Sequence, residues 1–372
     1  MGPIITKNRV DDLKILLRHR KDEAIFISNP ENVRYLTGFT GSNGVLLVFT
    51  HQDLPSIFIT DSRYEEQSAI ELSQSNTGDI KVLVSRPNGS KLLELVSSEA
   101  LRHDIGTLLI ESSALRVSTL EELRTYLATH IETKSSIGVV ERLRRIKDDT
   151  EIQAIQRACE IADQALIQVK GLLRENTSER DFAVELEYKM MKLGADERSF
   201  ATIVASGPRS ALPHGHPTDR AIAEGDVVVV DFGATYNGYH SDCTRTFSIG
   251  EPTPQIQEVF DVVHRAQLEA ISHIREGSSC KSLDEVARAV LRKSDLEHRF
   301  THGLGHGVGL EIHEEPFLSA RSDTLLDPGC VITVEPGVYL PEHFGVRIED
   351  TLVVTKDGSR PLTKIDKDWI IT

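Results

Sequence analysis

Residues 227–247 read VVVVDFGATYNGYHSDCTRTF. Four valines predict a strand buried on both faces, Asn237-Gly238 predicts a tight turn, and Tyr239 to Phe247 reads as the returning strand. Asp231 closes the valine run, where an uncompensated buried carboxylate is costly and needs a strong partner. A hairpin turning at Asn237-Gly238 sets Asp231 opposite Thr244, and Asp242 lies two residues from Thr244 on the same strand. Side chains two apart share a face, so the two carboxylates converge on one side of the sheet. Like charges so placed repel unless one keeps a proton or a cation lies between them.

Helices precede and follow this hairpin. Upstream, apolar positions Ile152, Ile155, Cys159, Ala162, Leu166, Val169 and Leu173 recur at helical intervals and predict a helix from Asp148 to about Arg174. A second is expected from Ser178, its N-cap, to Leu193, with Gly194 as the stop. Downstream the order recurs, with helices expected over Pro254–Arg275 and Ser282–Lys293, then strands at 301–312, 330–335 and 345–354. Two helix-helix-hairpin units in tandem make an internally duplicated α+β domain.

Before it, AIFISN, GVLLVF, SIFITD, IKVLVS and TLLIES are apolar runs of strand length, alternating with helical stretches such as KLLELVSSEALRH. They predict a smaller α/β domain over 1–135. The polar run ETKSSI (132–137) marks the change of pattern, and the second domain is placed at 136–372. The total of 372 residues suits two such domains.

Composition removes several function classes. With 42 Lys+Arg against 57 Asp+Glu the net charge is −15, so the clustered basic surface that nucleic acid requires is not expected. Cys159, Cys243, Cys280 and Cys330 are widely spaced with no CxxC pair, which argues against a disulfide framework or a thiolate zinc site. The N-terminal stretch reaches charged residues before any apolar run, and no 18-residue apolar stretch occurs, so the expectation is a cytoplasmic protein without a membrane partner. Gly2 to Thr6 fit a short myristoylation pattern, but Pro3 is an awkward neighbour in it.

Asp231 and Asp242 are joined by Glu335, which ends VITVE, by Glu349 in GVRIED, and by His306 in the glycine-rich HGLGHGVG. One Asp at a strand end is more often a turn-former, and one His in a glycine-rich run is usually a loop residue. Five such positions in one domain read differently. Four carboxylates and one imidazole balance two divalent cations, and such a shell suits Mn²⁺, with Co²⁺, Zn²⁺ or Fe²⁺ as alternatives. Ions about 3.5–4 Å apart can hold a bridging hydroxide and polarise a carbonyl beside it, as metal-assisted amide hydrolysis requires.

At these residues the sequence resembles the creatinase/prolidase/methionine aminopeptidase superfamily, peptidase family M24. DFGATYNGYHSDCTRTF is similar to its two-Asp hairpin, HGLGHGVGLEIHEEP to its histidine segment, and TVEPGVYLP with GVRIED to its two Glu strands. NPENVRYLTGFTGSNG and TDSRY carry a weaker likeness in the first domain. The resemblance implies a pita-bread catalytic domain behind a creatinase-type N-terminal domain. It implies that Asp231 chelates one metal, that Asp242 and Glu349 bridge both, and that His306 and Glu335 complete the second. It places His214, His302 and His313 in the substrate pocket. His214 and His313 would donate to the developing oxyanion or the leaving nitrogen, and Arg347 would hold a metal-binding carboxylate. Tyr339 is read as a support for the ligands or as packing, and Cys243 as buried filler. His216, His240 and His264 match nothing chemical.

Methionine aminopeptidases usually carry only a short extension before the ligands, so the first domain points to the Xaa-Pro branch. Its members place that domain over the active-site mouth of a partner subunit, which implies a homodimer. The expected activity is an Xaa-Pro aminopeptidase acting on peptides with proline second, in which Glu335 or a pocket histidine handles the proton. An Xaa-Pro dipeptidase is the alternative. A metal-free creatinase-like hydrolase would lack the full ligand set, and a non-catalytic binding protein on this fold would have lost at least one ligand.

Overall fold

The computed structural model describes residues 8–17, 22–75 and 77–371. Gly2 to Thr6 lie outside these residues, so the myristoylation pattern has no structural counterpart here. The five apolar runs form strands β1 (Glu23–Ile27), β2 (Gly44–Phe49), β3 (Ser56–Asp61), β4 (Ile80–Ser85) and β5 (Thr107–Glu111). A sixth, β6 (Glu132–Ser136), completes one sheet in the order β4-β3-β2-β1-β5-β6. Helices α1 (Arg9–Leu16), α2 (Pro30–Thr37), α3 (Glu65–Gln74), α4 (Leu92–Arg102), α5 (Val117–Tyr126) and α6 (Val139–Arg144) complete the unit.

The chain divides into Met1–Arg144 and Arg145–Thr372, so the boundary expected at 135 falls inside β6. The reason is that β6 is an edge strand pairing parallel to β5, with Glu132, Lys134 and Ser135 exposed. A polar edge carries no apolar run for sequence reading to find.

In the second unit, α7 (Asp149–Val169) begins at an Asp148 capping box with Glu151, and α8 (Glu179–Lys192) begins at the Ser178 cap. The helix expected to reach Arg174 ends early, passing into a 3-10 turn at Lys170–Leu172 that contains Gly171. Strands β7 (Glu197–Arg198), β8 (Ile203–Ser206), β9 (Val227–Phe232), β10 (Ala234–Tyr236), β11 (Tyr239–His240) and β12 (Cys243–Ile249) follow. Then come α9 (Pro254–Ser272), α10 (Cys280–Arg292), β13 (Gly305–Gly307), β14 (Glu314–Leu318), β15 (Val331–Val334), β16 (Gly337–Leu340), β17 (Phe344–Arg347), β18 (Asp350–Val354), β19 (Ser359–Pro361) and β20 (Ile370–Ile371).

The two larger sheets run β20-β12-β9-β8 and β14-β13-β15-β18-β19. One core packs Ala162, Leu166, Phe182 and Leu186 of α7 and α8 against Val228, Val230 and Phe247. The other packs Val259, Val263, Ala287 and Leu291 of α9 and α10 against Ile332, Val334 and Leu352. Each helix pair therefore covers its own sheet, which is the duplicated arrangement read from the element order. No helix among the described residues is long and apolar enough to cross a membrane.

Three segments expected as single strands are broken or cut short. Ser241 and Asp242 interrupt 239–247, only Gly305–Gly307 of 301–312 is strand, and Ile348 and Glu349 interrupt 345–354. At each break the ladder stops and backbone is released to turn a side chain toward the interior of the domain. The ligand candidates Asp242 and Glu349 sit at two of these breaks, and Glu335 follows β15 directly.

Candidate metal centre

The turn residues Asn237 and Gly238 have φ of 49° and 73°, as a two-residue hairpin turn demands. The register that results pairs Asp231 with Thr244. Even-numbered Val228, Val230 and Phe232 go to the helix-covered core, so Asp231 faces the other way. On β12, Cys243 and Phe247 take the core side, and Thr244 shares the face of Asp231.

Asp231, Asp242, His306, Glu335 and Glu349 line one cavity of about 910 Å³. His214, His302, His313 and Arg347 line it too, so every site residue expected from sequence reaches this cavity. Sequence reasoning passed over Phe200 and Phe317, which supply apolar wall, and dismissed His216, which also lines it. His216 had one signal, its position two residues from His214 in LPHGHP.

Gly305 allows β13 to lie close to β15, since a methyl there would stand 2.1 Å from the Thr333 carbonyl oxygen. The His306 amide then donates to Thr333 Oγ1 at 3.0 Å. His306 Nδ1 donates to the Gly307 carbonyl at 3.0 Å, which leaves the lone pair on Nε2. That nitrogen lies 3.5 Å from both Asp242 Oδ2 and Glu335 Oε1. Burial, with His313 adding to it, pushes His306 down to about 4, so the ring is neutral and offers these carboxylates no charge.

Ligand atoms of Asp242, His306 and Glu349 all fall within 4.8 Å of one another. Burial and then Glu349, Asp231 and Glu335 push the Asp242 carboxyl well above its usual range. Burial with Glu335 and Asp231 does the same to Glu349, and burial takes Glu335 up to about 8. Asp231 Oδ1 and Glu349 Oε1 are buried with no hydrogen-bond partner. Orphaned carboxylate oxygens and an imidazole lone pair facing one space fit a divalent cation.

Arg347 ties the candidate ligand Asp231 to its neighbours by hydrogen bonds. Its guanidinium donates to Asp231 Oδ2 at 2.6 Å, Thr244 Oγ1 at 3.1 Å, Tyr339 Oη at 2.9 Å and the Pro213 carbonyl at 3.0 Å. Thr244 Oγ1 in turn donates to Glu349 Oε2 at 2.7 Å. Burial opposes the charge on Arg347, but Tyr339, Asp231, Glu335 and Glu349 together hold its pKa well above the usual value. Arg347→Ala is expected to weaken Mn²⁺ binding about 10–100-fold. Calorimetric titration measures this, and unchanged affinity would refute the role.

His302 lines the cavity, and both of its ring nitrogens face protein partners. Its Nδ1 donates to the Gly303 carbonyl at 2.9 Å, and Nε2 lies 2.9 Å from Tyr339 Oη. Because that hydroxyl already accepts from Arg347, its proton points to His302 Nε2. Both ring nitrogens are engaged, and burial with Arg347 pushes the ring down to about 4. Through Tyr339, His302 therefore steadies Arg347. The ring of His313 packs edge-on against His306 with centroids 4.3 Å apart.

Residues 153–356 match Metallopeptidase family M24, and residues 9–146 match the Creatinase/Prolidase N-terminal domain. The chain belongs to metallopeptidase family M24. Among M24 relatives, an Xaa-Pro dipeptidase of Pyrococcus furiosus is 36% identical, with 98% of this chain and 100% of that protein covered. The structure of an Xaa-Pro dipeptidase from Bacillus anthracis matches with a TM-score of 0.91 and 37% identity, covering 98% of this chain and 100% of that one. An X-Pro aminopeptidase from Thermotoga maritima gives 0.85 and 36%, over 96% and 100%. The M24 chain is thus a metal-dependent peptidase that shares the fold of these structures over at least 96% of its length.

Proposed function

We propose that this M24 peptidase hydrolyses the peptide bond before proline, using two divalent cations held by Asp231, Asp242, His306, Glu335 and Glu349. The observation that carries the reading is the convergence of four carboxylates and a neutral imidazole lone pair on one cavity large enough for a short peptide. Relatives named Xaa-Pro dipeptidase or prolidase support the proline specificity and make dipeptides the first substrate class.

When bound, the cations supply Lewis-acid polarisation of the scissile carbonyl and lower the pKa of water. Mn²⁺ is the preferred ion for this oxygen-rich set, with Co²⁺ or Zn²⁺ as substitutes. Asp242 and Glu349 would be the ligands common to both ions, Asp231 would serve one ion while held by Arg347, and His306 and Glu335 would hold the other. Glu335 accepts the proton released by the attacking water, and His313 and His214 donate to the developing oxyanion or the leaving nitrogen. Arg347 is a positioning residue, because its hydrogen bonds go to protein groups. We also assign the chain to the cytoplasm as a homodimer. Four free, buried cysteines suit a reducing compartment.

A second reading, an aminopeptidase acting on longer Xaa-Pro-Yaa peptides, is favoured by the cavity wall. Among the described residues lining it, the only Lys or Arg is Arg347, already committed to Asp231 and Tyr339. Phe200 and Phe317 are apolar, so this wall supplies no spare cation for the terminal carboxylate of a dipeptide. Product analysis of Gly-Pro, Met-Pro and a longer Met-Pro-Yaa peptide with added Mn²⁺ decides the matter. Cleavage of dipeptides alone establishes the dipeptidase, removal of Met from the longer peptide establishes the aminopeptidase, and no cleavage of any of them refutes both.

A further inference from the structure

Glu349 is held by its neighbours in a way that leaves one atom for chemistry. Its amide donates to the Thr244 carbonyl at 3.1 Å, and its Oε2 accepts from Thr244 Oγ1. Its own carbonyl accepts from Arg245 at 2.5 Å and from Cys243 Sγ at 3.7 Å. Only Oε1 is left without a partner. Thus β12 presents Thr244 to the carboxylate on one face and Arg245 to the backbone on the other.

Arg245 is 3% exposed and donates to more than Glu349. Its remaining bonds reach the Thr244 carbonyl at 3.0 Å, Asp350 Oδ1 at 2.8 Å, the Ile365 carbonyl at 2.8 Å and the Asp366 carbonyl at 3.3 Å. Asp350 also receives Thr363 Oγ1 at 3.0 Å, Gln267 Nε2 at 3.1 Å and Lys367 Nζ at 2.7 Å. The Lys364 amide donates to Asp163 Oδ2 at 2.6 Å, tying the same segment to α7. Residues 363–367 lie beyond the stretch, 153–356, that matches the M24 family.

We propose that residues 363–367 form a clasp that acts through Arg245 and Asp350 to fix the backbone of Glu349, so that Arg245 and Lys367 are positioning residues for the metal centre. Buried charge-assisted bonds to backbone carbonyls are strong and directional, so the clasp sets where Oε1 points before an ion arrives. It thereby keeps Glu349 in place without touching substrate or ion. The proposal rests on the metal-centre reading above.

The test compares wild type with Arg245→Lys, which keeps the charge but not the planar fork, and Lys367→Met, which removes the 24% exposed partner of Asp350. Mn²⁺ affinity is measured by calorimetry, thermal midpoints by circular dichroism, and kcat and KM at saturating Mn²⁺. Arg245→Lys is expected to weaken Mn²⁺ binding about 10-fold or more. Lys367→Met should weaken it by a smaller factor, with KM for the peptide unchanged and kcat recovering as Mn²⁺ is raised. Folded variants that bind Mn²⁺ as wild type does, with only a lower thermal midpoint, would overturn the clasp. If Arg245→Lys does not fold, unchanged Mn²⁺ affinity in Lys367→Met overturns it alone. Absence of Mn²⁺ binding by wild type would instead refute the metal-centre reading.

Discussion

Asp242→Ala is expected to lower kcat/KM by roughly a thousandfold or more, while the far-ultraviolet circular dichroism stays that of the wild type. Asp242 sits in the break between β11 and β12, so its side chain contributes nothing to either ladder. Its removal also relieves a buried carboxylate that Glu349, Asp231 and Glu335 repel. The fold therefore tolerates the change, whereas the cluster loses one of the three residues whose ligand atoms lie within 4.8 Å. Retention of more than a few per cent of wild-type turnover would contradict the shared position assigned to Asp242.

The stability of the metal-stripped protein is expected to fall as pH rises from about 6.5 to about 8, and Mn²⁺ is expected to restore it. Glu335 in the folded chain is pushed up to about 8 from an ordinary value of 4.5, chiefly by burial, and Asp242 and Glu349 are also raised. Between the unfolded and folded values the native state holds more protons than the unfolded chain. Each such group therefore costs about 1.4 kcal/mol per pH unit as pH climbs. Below about 6.5 the neutral, buried His302 and His306 work in the opposite direction, because the unfolded chain takes up their protons first. The window above 6.5 is accordingly the one the carboxylates dominate. A divalent ion competes with those protons, so the rise in thermal midpoint on adding Mn²⁺ should be several degrees larger at pH 8 than at pH 6.5. Thermal melts of chelator-treated protein at the two pH values measure it. An equal rise at both would show that these carboxylates are not where the ion binds.

Much of the site could be read from local rules. Asn237-Gly238 is a turn signal with one favoured geometry, and strand alternation then carries Asp231 and Thr244 to a common face. Glu335 and Glu349 stood out because they interrupt apolar runs. The two-helix repeats were visible through apolar spacing and caps, as at Asp148 and Ser178.

Other features depend on contacts far apart in the chain. The role of His302 rests on Tyr339, 37 residues later, and that of Arg245 on residues 120 positions on. No spacing rule reports such bonds. Phe317 alternates outward on β14 like any exposed strand residue, and only tertiary placement shows that it faces the cavity. The strand breaks at Asp242 and Glu349 escaped because their β-forming neighbours continue across them. Polar β6 escaped because its side chains are largely solvated.

The count of divalent ions bound per chain at saturation tests the account most directly. Metal-free protein titrated with Mn²⁺ and assayed for bound metal after removal of excess should hold two ions per chain, and Asp242→Ala should hold fewer. No bound ion in wild type after supplementation with Mn²⁺ or Co²⁺ would contradict the account.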